Sequence, residues 1–451
     1  VPFEDMHHFH STIGVAYGIL ALMHTIAHLV RWGLRGDLLF LVTSRAGLSG
    51  VLGMITMTIV VLSMTLAKKF KKLSFESRFS CHWLFTFFVL CICFHTPRCR
   101  NITCIFFFLW VTDYLYTYFF KTHSLDIVEF TPLPLRSGTQ MLWRNPKGFH
   151  VKSGQYVKVR IPWLSEGGSE WHPFSIYLKE KTDIGRESVY PQRMEEGVES
   201  WDDNPGIVTE GETEYIFIRE FLKKEFKAGH DNVSSGEYTN VHAREDQDRY
   251  KTTQVFIAPV GNWSRRLNEE VSEGANLSSC WVRGPFTSPF SVGNSFSHLV
   301  LTATGIGITP SLAIAAQFPG HTRTKILIWS CKDANMLKFF APLFEDFHMI
   351  MVYYTGREMI SYEESMRIKG SKGNVFLQMK RGDMTNAIST VVTSYENSMQ
   401  DTPFSKMEMI PTDTLSSWCV MYCGGSKRLC GDLSSFCQNA SVEFHSELFD
   451  W

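Results

Sequence analysis

The sequence predicts three structural regions in order: an α-helical membrane bundle, a small antiparallel β-barrel, and a doubly wound α/β domain. Three observations carry this. Residues 1–122 hold four apolar runs. Short β-type segments bounded by Gly and Pro follow them. From about residue 298, short apolar strands alternate with helix-compatible stretches. The 451 residues leave room for two or three domains. The net charge of −1 gives no basic field, so no nucleic-acid partner is expected.

The apolar runs cover about 9–32, 46–67, 78–96 and 102–120, each near the ~20 residues that a spanning helix needs. A cleaved signal peptide explains one run at most. The link AKKFKKLSFESR (67–78) carries four lysines and reads as cytoplasmic. Four spans then put residue 1 and everything after 122 on that same side. The chain starts at a span without Met and reads as a piece of a longer one.

Eleven cysteines match neither zinc spacing nor a secreted framework. Cys81, Cys91 and Cys93 read as small apolar residues of the third span. Cys99 and Cys104 fall on the outer side, where a disulfide can form. The sequon Asn101-Ile102-Thr103 lies too near the membrane for glycosylation.

Imidazoles in a span are costly and point to function. The first span has His10, His24 and His28; the third has His82 and His95. Spacings of 14 and 13 residues separate the members of each pair by roughly 20 Å along a helix. Two such helices can hold two haems, one above the other, each with one histidine from either helix. His10 and His82 would form the inner site, His24 and His95 the outer one. The alternative is isolated histidines bonded to backbone carbonyls.

Fourteen residues return to within about 40° of the starting face, whereas thirteen leave the pair about 140° apart. The third span therefore needs a kink, a π-bulge or different ring rotamers. His7 and His8 read as interfacial, and His28 as spare. Arg31, Arg35, Arg45, Arg98 and Arg100 on the outer side offer partners for anions such as haem propionates. Asp113 either pairs with a cation of another helix or sits near the cytoplasmic end of the fourth span.

The barrel is expected from SLDIVEFTPLP, GQYVKVRIP, HPFSIYL, TQVFIAPV and SCWVRGPF. A polar segment, about 179–252, reads as a surface insertion, within which EYIFIREFLKKEF (214–226) is a candidate ordered piece. The parallel sheet is expected from HLVLTATG, KILIWSC, MIMVYYTG, NVFLQMK and SWCVMYCG. Motifs follow the strand ends: TGIGITP, SCKDA, TGRE, KRGD and CGGS. Ligands bind at that edge in such sheets. The glycines of GIGITP allow backbone to approach a pyrophosphate at a helix start. Lys332 and Arg381 could meet an extra ribose phosphate, favouring NADPH over NADH; on spacing alone they could equally be solvated charges.

On these residues the chain resembles the ferric reductase and NADPH oxidase superfamily, closer to the NADPH oxidases. FHSTIGVAYGILALMHTIAHL is similar to its third transmembrane helix and ESRFSCHWLFTFFVLCICFH to its fifth. The resemblance implies two upstream helices, with His10, His24, His82 and His95 as axial ligands of two b-type haems and His28 near the outer one. GQYV and HPFS look like its flavin-binding strands. That implies His172, Pro173, Phe174 and Ser175 lining FAD, with Ser175 approaching the flavin N5. Arg283 and Gly284 of VRGPF would approach the FAD phosphates. GIGITP and CGG look like its nicotinamide dinucleotide segments, implying Gly305, Gly307, Thr309, Pro310, Cys423 and Gly424. The ending FHSELFDW resembles its terminal aromatic motif, in which Phe449, or Trp451, would cover the flavin.

Some positions depart from that pattern. Ser175 stands for a usual Thr, Thr287 for a Gly, CGG for CGP, KRG for GRP, and Lys332 for a frequent Arg, which loses the bidentate fork. The implied domains are a haem domain over 1–122, an FAD-binding barrel over 123–292 and a ferredoxin reductase-like NADP-binding domain over 293–451.

The activity that the resemblance implies passes electrons from cytosolic NADPH through FAD and the haems to oxygen, making superoxide. The alternative acceptor is a chelated ferric ion. HTIAHL looks more like the oxidases, whereas the short outer loop HTPRCRNI leaves less of a lid against chelates. A non-catalytic haem-binding subunit is the third reading. The expected location is the plasma membrane with cytoplasmic C-terminal domains; no residue pattern identifies a regulatory subunit.

Overall fold

In the computed structural model of the chain, the described residues are 3–70, 75–125, 128–164, 170–179, 252–274, 279–317, 324–370, 374–400 and 418–448. The segment 214–226 and the residues Phe449 and Trp451 lie outside them. The chain divides into two compact units, Val1–Thr122 and His123–Trp451.

The first unit is helical: α1 (Phe3–Arg35), α2 (Phe40–Thr43), α3 (Arg45–Phe70), α4 (Phe75–His82), α5 (Phe85–His95) and α6 (Pro97–Phe120). Among the described residues, four segments are long and apolar enough to cross a membrane: Phe9–Arg35, Arg45–Thr65, Ser77–His95 and Arg100–Phe120. Their apolar side chains stay outward-facing, as on Leu20, Leu22, Ile105 and Phe106. That pattern suits lipid rather than water.

Small residues let these helices approach. A Cβ on Gly50 of α3 would lie 2.9 Å from the His95 ring, and one on Gly53 would lie 3.4 Å from Cys91. The third apolar run is broken between α4 and α5. There Leu84 N–H donates to the Cys81 carbonyl, and Thr86 N–H to that of Trp83, at 3.1 Å each. Such i→i−3 bonds wind the backbone about 20° further per residue than α-helical ones. The break therefore narrows the angular mismatch left by a 13-residue spacing.

Among the described residues, the second unit holds two antiparallel four-stranded sheets and one parallel sheet of six. The first, in order β1-β8-β4-β5, contains β1 (Thr122–Leu125), β4 (Gln155–Arg160), β5 (His172–Ser175) and β8 (Cys280–Thr287). The second, in order β2-β3-β7-β6, contains β2 (Val128–Pro132), β3 (Thr139–Arg144), β6 (Tyr177–Lys179) and β7 (Thr252–Ile257). Inward residues Met141, Trp143, Val157, Val159, Val255 and Val282 form one shared core. Helix α7 (Asn262–Ser272) adds Trp263 and Leu267 to it. Strand β3 is absent from the sequence-based reading, although Thr139, Met141 and Trp143 alternate inward.

The parallel sheet runs β12-β11-β10-β9-β13-β14. Its strands are β9 (His298–Thr304), β10 (Thr324–Cys331), β11 (Met349–Tyr354), β12 (Val375–Gln378), β13 (Trp418–Gly424) and β14 (Glu443–Leu448). Both faces are covered, as an all-parallel sheet requires. One side takes α8 (Ile308–Gln317), α9 (Ala334–Phe340) and α10 (Tyr362–Lys369); the other takes α11 (Met384–Gln400) and α12 (Lys427–Asn439). Strands β10 to β12 extend from one side of β9, and β13 lies on its other side. The order reverses between β9 and β13, where a ligand crevice forms.

Candidate functional site

In the helical unit, α1 and the broken third span bring the histidines into two facing pairs. His10 and His82 have ring centroids 6.0 Å apart, and His24 and His95 6.1 Å. The outer pair is held by a neighbour: His95 Nδ1 lies 2.8 Å from the Ala46 carbonyl oxygen, to which it donates. The Ser49 hydroxyl is 3.4 Å from the same nitrogen. A donating Nδ1 leaves the Nε2 lone pair for a metal, the usual outer support of a ligating imidazole. His82 Nδ1 is buried and unpartnered. His28 lies one turn beyond His24, 4.6 Å ring to ring, and packs against Trp32 at 5.4 Å.

These pairs suit haem better than a bare ion. Among the described residues no three His, Cys, Asp or Glu side chains cluster to hold a metal, and a protein-held ion usually takes four or more donors. Two facing imidazoles with a gap between them fit a group that brings its own equatorial nitrogens.

In the second unit, β4, β5 and β8 build a polar and aromatic face. Tyr156 pairs with Ser175 on one side and with Phe286 on the other, and it stacks on Phe286 at 5.2 Å. The Ser175 hydroxyl is buried without a partner, so a bound group can claim it. Lys158 and Arg283 face each other across β4 and β8. The Arg283 guanidinium lies 4.1 Å over the Trp171 ring and the Lys158 ammonium 5.6 Å over Phe286. Burial, with Arg283 alongside, lowers the Lys158 pKa. Gly284 follows Arg283 on β8.

HPFS does not line a single surface, because successive strand residues alternate faces. Pro173 and Ser175 pair with Lys158 and Tyr156. His172 and Phe174 lie on the side of Trp263, at 4.2 and 6.0 Å ring to ring. The four residues expected to line FAD therefore present side chains to both faces of β5.

Residue Glu447 of β14 returns to this region. Burial pushes its carboxyl up to about 7, while a hydrogen bond with Ser288 pulls the other way. Its charge also raises the Tyr156 phenol, after burial itself. Glu447 lies in FHSELFDW and Lys158 in GQYVKVRIP, but the sequence assigned a role to neither, nor to Trp263.

At the crevice between β9 and β13, Gly305 and Gly307 form the turn into α8. The Trp329 indole N–H donates to the Gly305 carbonyl at 2.8 Å and pins that turn. A Cβ on Gly307 would collide with the Cys423 carbonyl, so only glycine lets the two strand ends meet. Thr309 and Pro310 sit in the first turn of α8, and Gly424 closes β13. The Cys423 side chain lies in the core, which leaves its backbone alone at the edge.

A cavity of 560 Å³ opens at the carboxyl ends of β10, β11 and β12, lined by Ser330, Tyr354, Thr355, Gly356, Met379, Lys380 and Arg381. Arg381 lines this cavity beside Lys380. Lys332 is exposed and is not among the lining residues. The strand end KRG was visible in the sequence, but which cation turns inward depends on the strand's exit.

Paired imidazoles in helices long and apolar enough to span a membrane are thus joined in one chain to two antiparallel sheets and a nucleotide-type parallel sheet. The proteins it is similar to are named as oxidases and reductases. Human NADPH oxidase 5 is 25% identical over 371 residues, covering 74% of this chain and 41% of its own. Ferric reduction oxidase 7, chloroplastic, of Arabidopsis thaliana is 22% identical over 376 residues, covering 76% and 40%. The chain is similar to both, which is consistent with the ferric reductase and NADPH oxidase superfamily. It spans about two fifths of the length of these two relatives. No family model matches the chain. A flavohemoglobin from Malassezia yamatoensis, solved with bound FAD and heme, aligns over 97% of this chain and 98% of its own at 14% identity, with a TM-score of 0.43.

Proposed function

We propose that the chain carries electrons across a membrane, from NADPH on the side of its C-terminal unit to oxygen on the other, producing superoxide. The observation that carries the reading is the pair of facing imidazole sets, at 6.0 and 6.1 Å, within spanning helices. They belong to a chain that also holds a cationic cavity at the edge of a nucleotide-type sheet. When bound, FAD turns the two-electron hydride of NADPH into single electrons, and two b-type haems take those one at a time.

The residues have separable tasks. His10 with His82 and His24 with His95 would each hold a haem between two imidazoles, which would supply one-electron carriage. His28, 4.6 Å from the His24 ring, would meet a small polar acceptor beside that pair. Ser175 offers its free hydroxyl to the flavin ring, and Lys158 with Arg283 offers charge to the FAD phosphates. Gly305, Gly307, Thr309, Pro310 and Gly424 admit the dinucleotide backbone at the crevice. Arg381 and Lys380 take the ribose phosphate that separates NADPH from NADH. Phe449 keeps the proposed covering role over the flavin. The C-terminal unit is placed in the cytoplasm and the spans in the plasma membrane.

A second acceptor, chelated ferric iron, is favoured by one feature. The α5–α6 link is the single residue Thr96, too short to fold over a bulky chelate. Membranes holding the full chain are given NADPH under argon, and the Soret band is followed. Reduction is expected; its absence in haem-loaded, flavin-loaded protein rules the electron chain out. Aerobic assays with superoxide dismutase then separate the acceptors, since dismutase abolishes dye or chelate reduction only where superoxide is the carrier.

A further inference from the structure

The outer end of the helical unit holds a pair of thiols that the electron chain does not use. Cys93 lies two residues before the end of α5, and Cys104 lies in the second turn of α6. Their sulfurs are 3.8 Å apart. Both are free: Cys93 is half-buried and Cys104 exposed. The sequence placed Cys99 and Cys104 on the outer side, where a disulfide can form. The fold brings Cys93 to Cys104 from the helix before the turn.

We propose that Cys93 and Cys104 are a peroxide-oxidised thiol pair whose disulfide ties the last turn of α5, which carries His95, to α6. Sulfurs at van der Waals contact need only small side-chain rotations to reach the bonded distance of about 2.05 Å. The oxidant is hydrogen peroxide, a small neutral molecule that reaches an exposed thiol at a membrane boundary. The thiolate of one cysteine attacks the peroxide O–O bond, forming a sulfenic acid and releasing hydroxide, which takes up the thiol's proton as water. The second thiolate then displaces hydroxide from that sulfur, forming the S–S bond and a second water. Two thiols lose two hydrogens and two electrons, and one peroxide becomes two waters.

The placement gives the bond a consequence. His95 is two residues from Cys93, and its ring is already held on the α3 side by Ala46. A disulfide to α6 fastens the same turn from its other flank. Oxidation should therefore slow loss of whatever the His24 and His95 pair holds, and reduction should restore it.

The test uses the full chain in membranes. The protein is reduced, freed of reductant, exposed to hydrogen peroxide, blocked with a maleimide and mapped by peptide mass spectrometry. A linked Cys93–Cys104 peptide pair is expected, short by two hydrogens, reversed by dithiothreitol and absent in Cys93→Ser and Cys104→Ser. It should persist in Cys99→Ser. Linkage of Cys99 to either partner, linkage between two copies, or free thiols at both positions after peroxide overturns the pairing. Haem release on warming, read by the Soret band, should be slower in the oxidised protein. An equal rate in both forms overturns the link to His95.

Discussion

His95 donates its Nδ1 proton to the carbonyl oxygen of Ala46, 2.8 Å away on the neighbouring helix α3. The bond crosses between two spans and fixes both the tautomer and the aim of the ring. It is possible because Gly50, one turn along α3, has no side chain where the ring lies. A Val at that position would place its Cβ 2.9 Å from the ring carbon, closer than real Cβ contacts come. Gly50→Val is therefore expected to push His95 off its carbonyl and halve the haem content, sparing the His10–His82 pair. Pyridine haemochrome counting against protein checks this, with His95→Leu as the reference for loss of one site.

The cationic cavity gives a prediction about the nucleotide. Arg381 and Lys380 line it together with Tyr354. Each charge-assisted bond to a phosphate contributes roughly 1.5–3 kcal/mol. Arg381→Ala is expected to raise the KM for NADPH about ten- to hundredfold, with little effect on NADH, which lacks that phosphate. Lys332→Ala, outside the cavity, should leave both nearly unchanged. Steady-state flavin reduction with the two nucleotides distinguishes the cases; equal losses for NADPH and NADH would assign the cavity elsewhere.

The contrast between Arg381 and Lys332 shows what the sequence could carry. Four spans are legible from length and apolarity alone, and the matched histidine spacings already imply two levels of paired rings. The phase conflict at His82 and His95 is also legible, because thirteen residues do not divide into whole turns. Its resolution at Trp83 and Leu84 is not, since a local tightening follows from how α4 and α5 pack. Strand β3 carries inward alternation at Thr139, Met141 and Trp143, but it is short and lies between Gly138 and Asn145-Pro146, so its signal merges with the turns. HPFS reads as one block in sequence yet divides between two faces once it is a strand. Glu447 lies inside FHSELFDW, where only the aromatic ring had a role; the return of β14 toward Ser288 and Tyr156 makes the carboxyl notable.

The facing cations Lys158 and Arg283 predict salt-sensitive flavin binding. Like charges directly opposed on a sheet destabilise it, so an anion between them gains from both. Lys158→Ala should weaken FAD retention, and the loss should shrink as salt rises, because screening already weakens the native contact. Lys158→Arg should keep much of the affinity. FAD fluorescence released during dialysis at low and high salt measures both. A salt-independent defect in Lys158→Ala would mean that the residue supports packing against Phe286 rather than a phosphate.

Glu447 predicts a pH dependence of stability with a defined sign. Burial raises its folded pKa from 4.5 to about 7. Between those values the folded chain holds a proton that the unfolded chain has lost, so stability falls as pH rises through that window. The neutral carboxyl's contribution is fully present below the unfolded value and is lost as pH passes the folded one. A shift of this size corresponds to about 3 kcal/mol at most. Glu447→Gln keeps the shape and cannot ionise, so its stability lacks that decline. The full chain and the variant should match near pH 4.5, and the variant should melt higher at about pH 8. Tryptophan fluorescence of the C-terminal unit during thermal unfolding reads the difference. Ser288→Ala adds a direction: without the hydroxyl that favours the carboxylate, the folded pKa rises further and the decline extends to higher pH. A difference between Glu447→Gln and the parent chain that stays constant with pH would show that folding does not shift this carboxyl's pKa, and that water reaches it beside Tyr156.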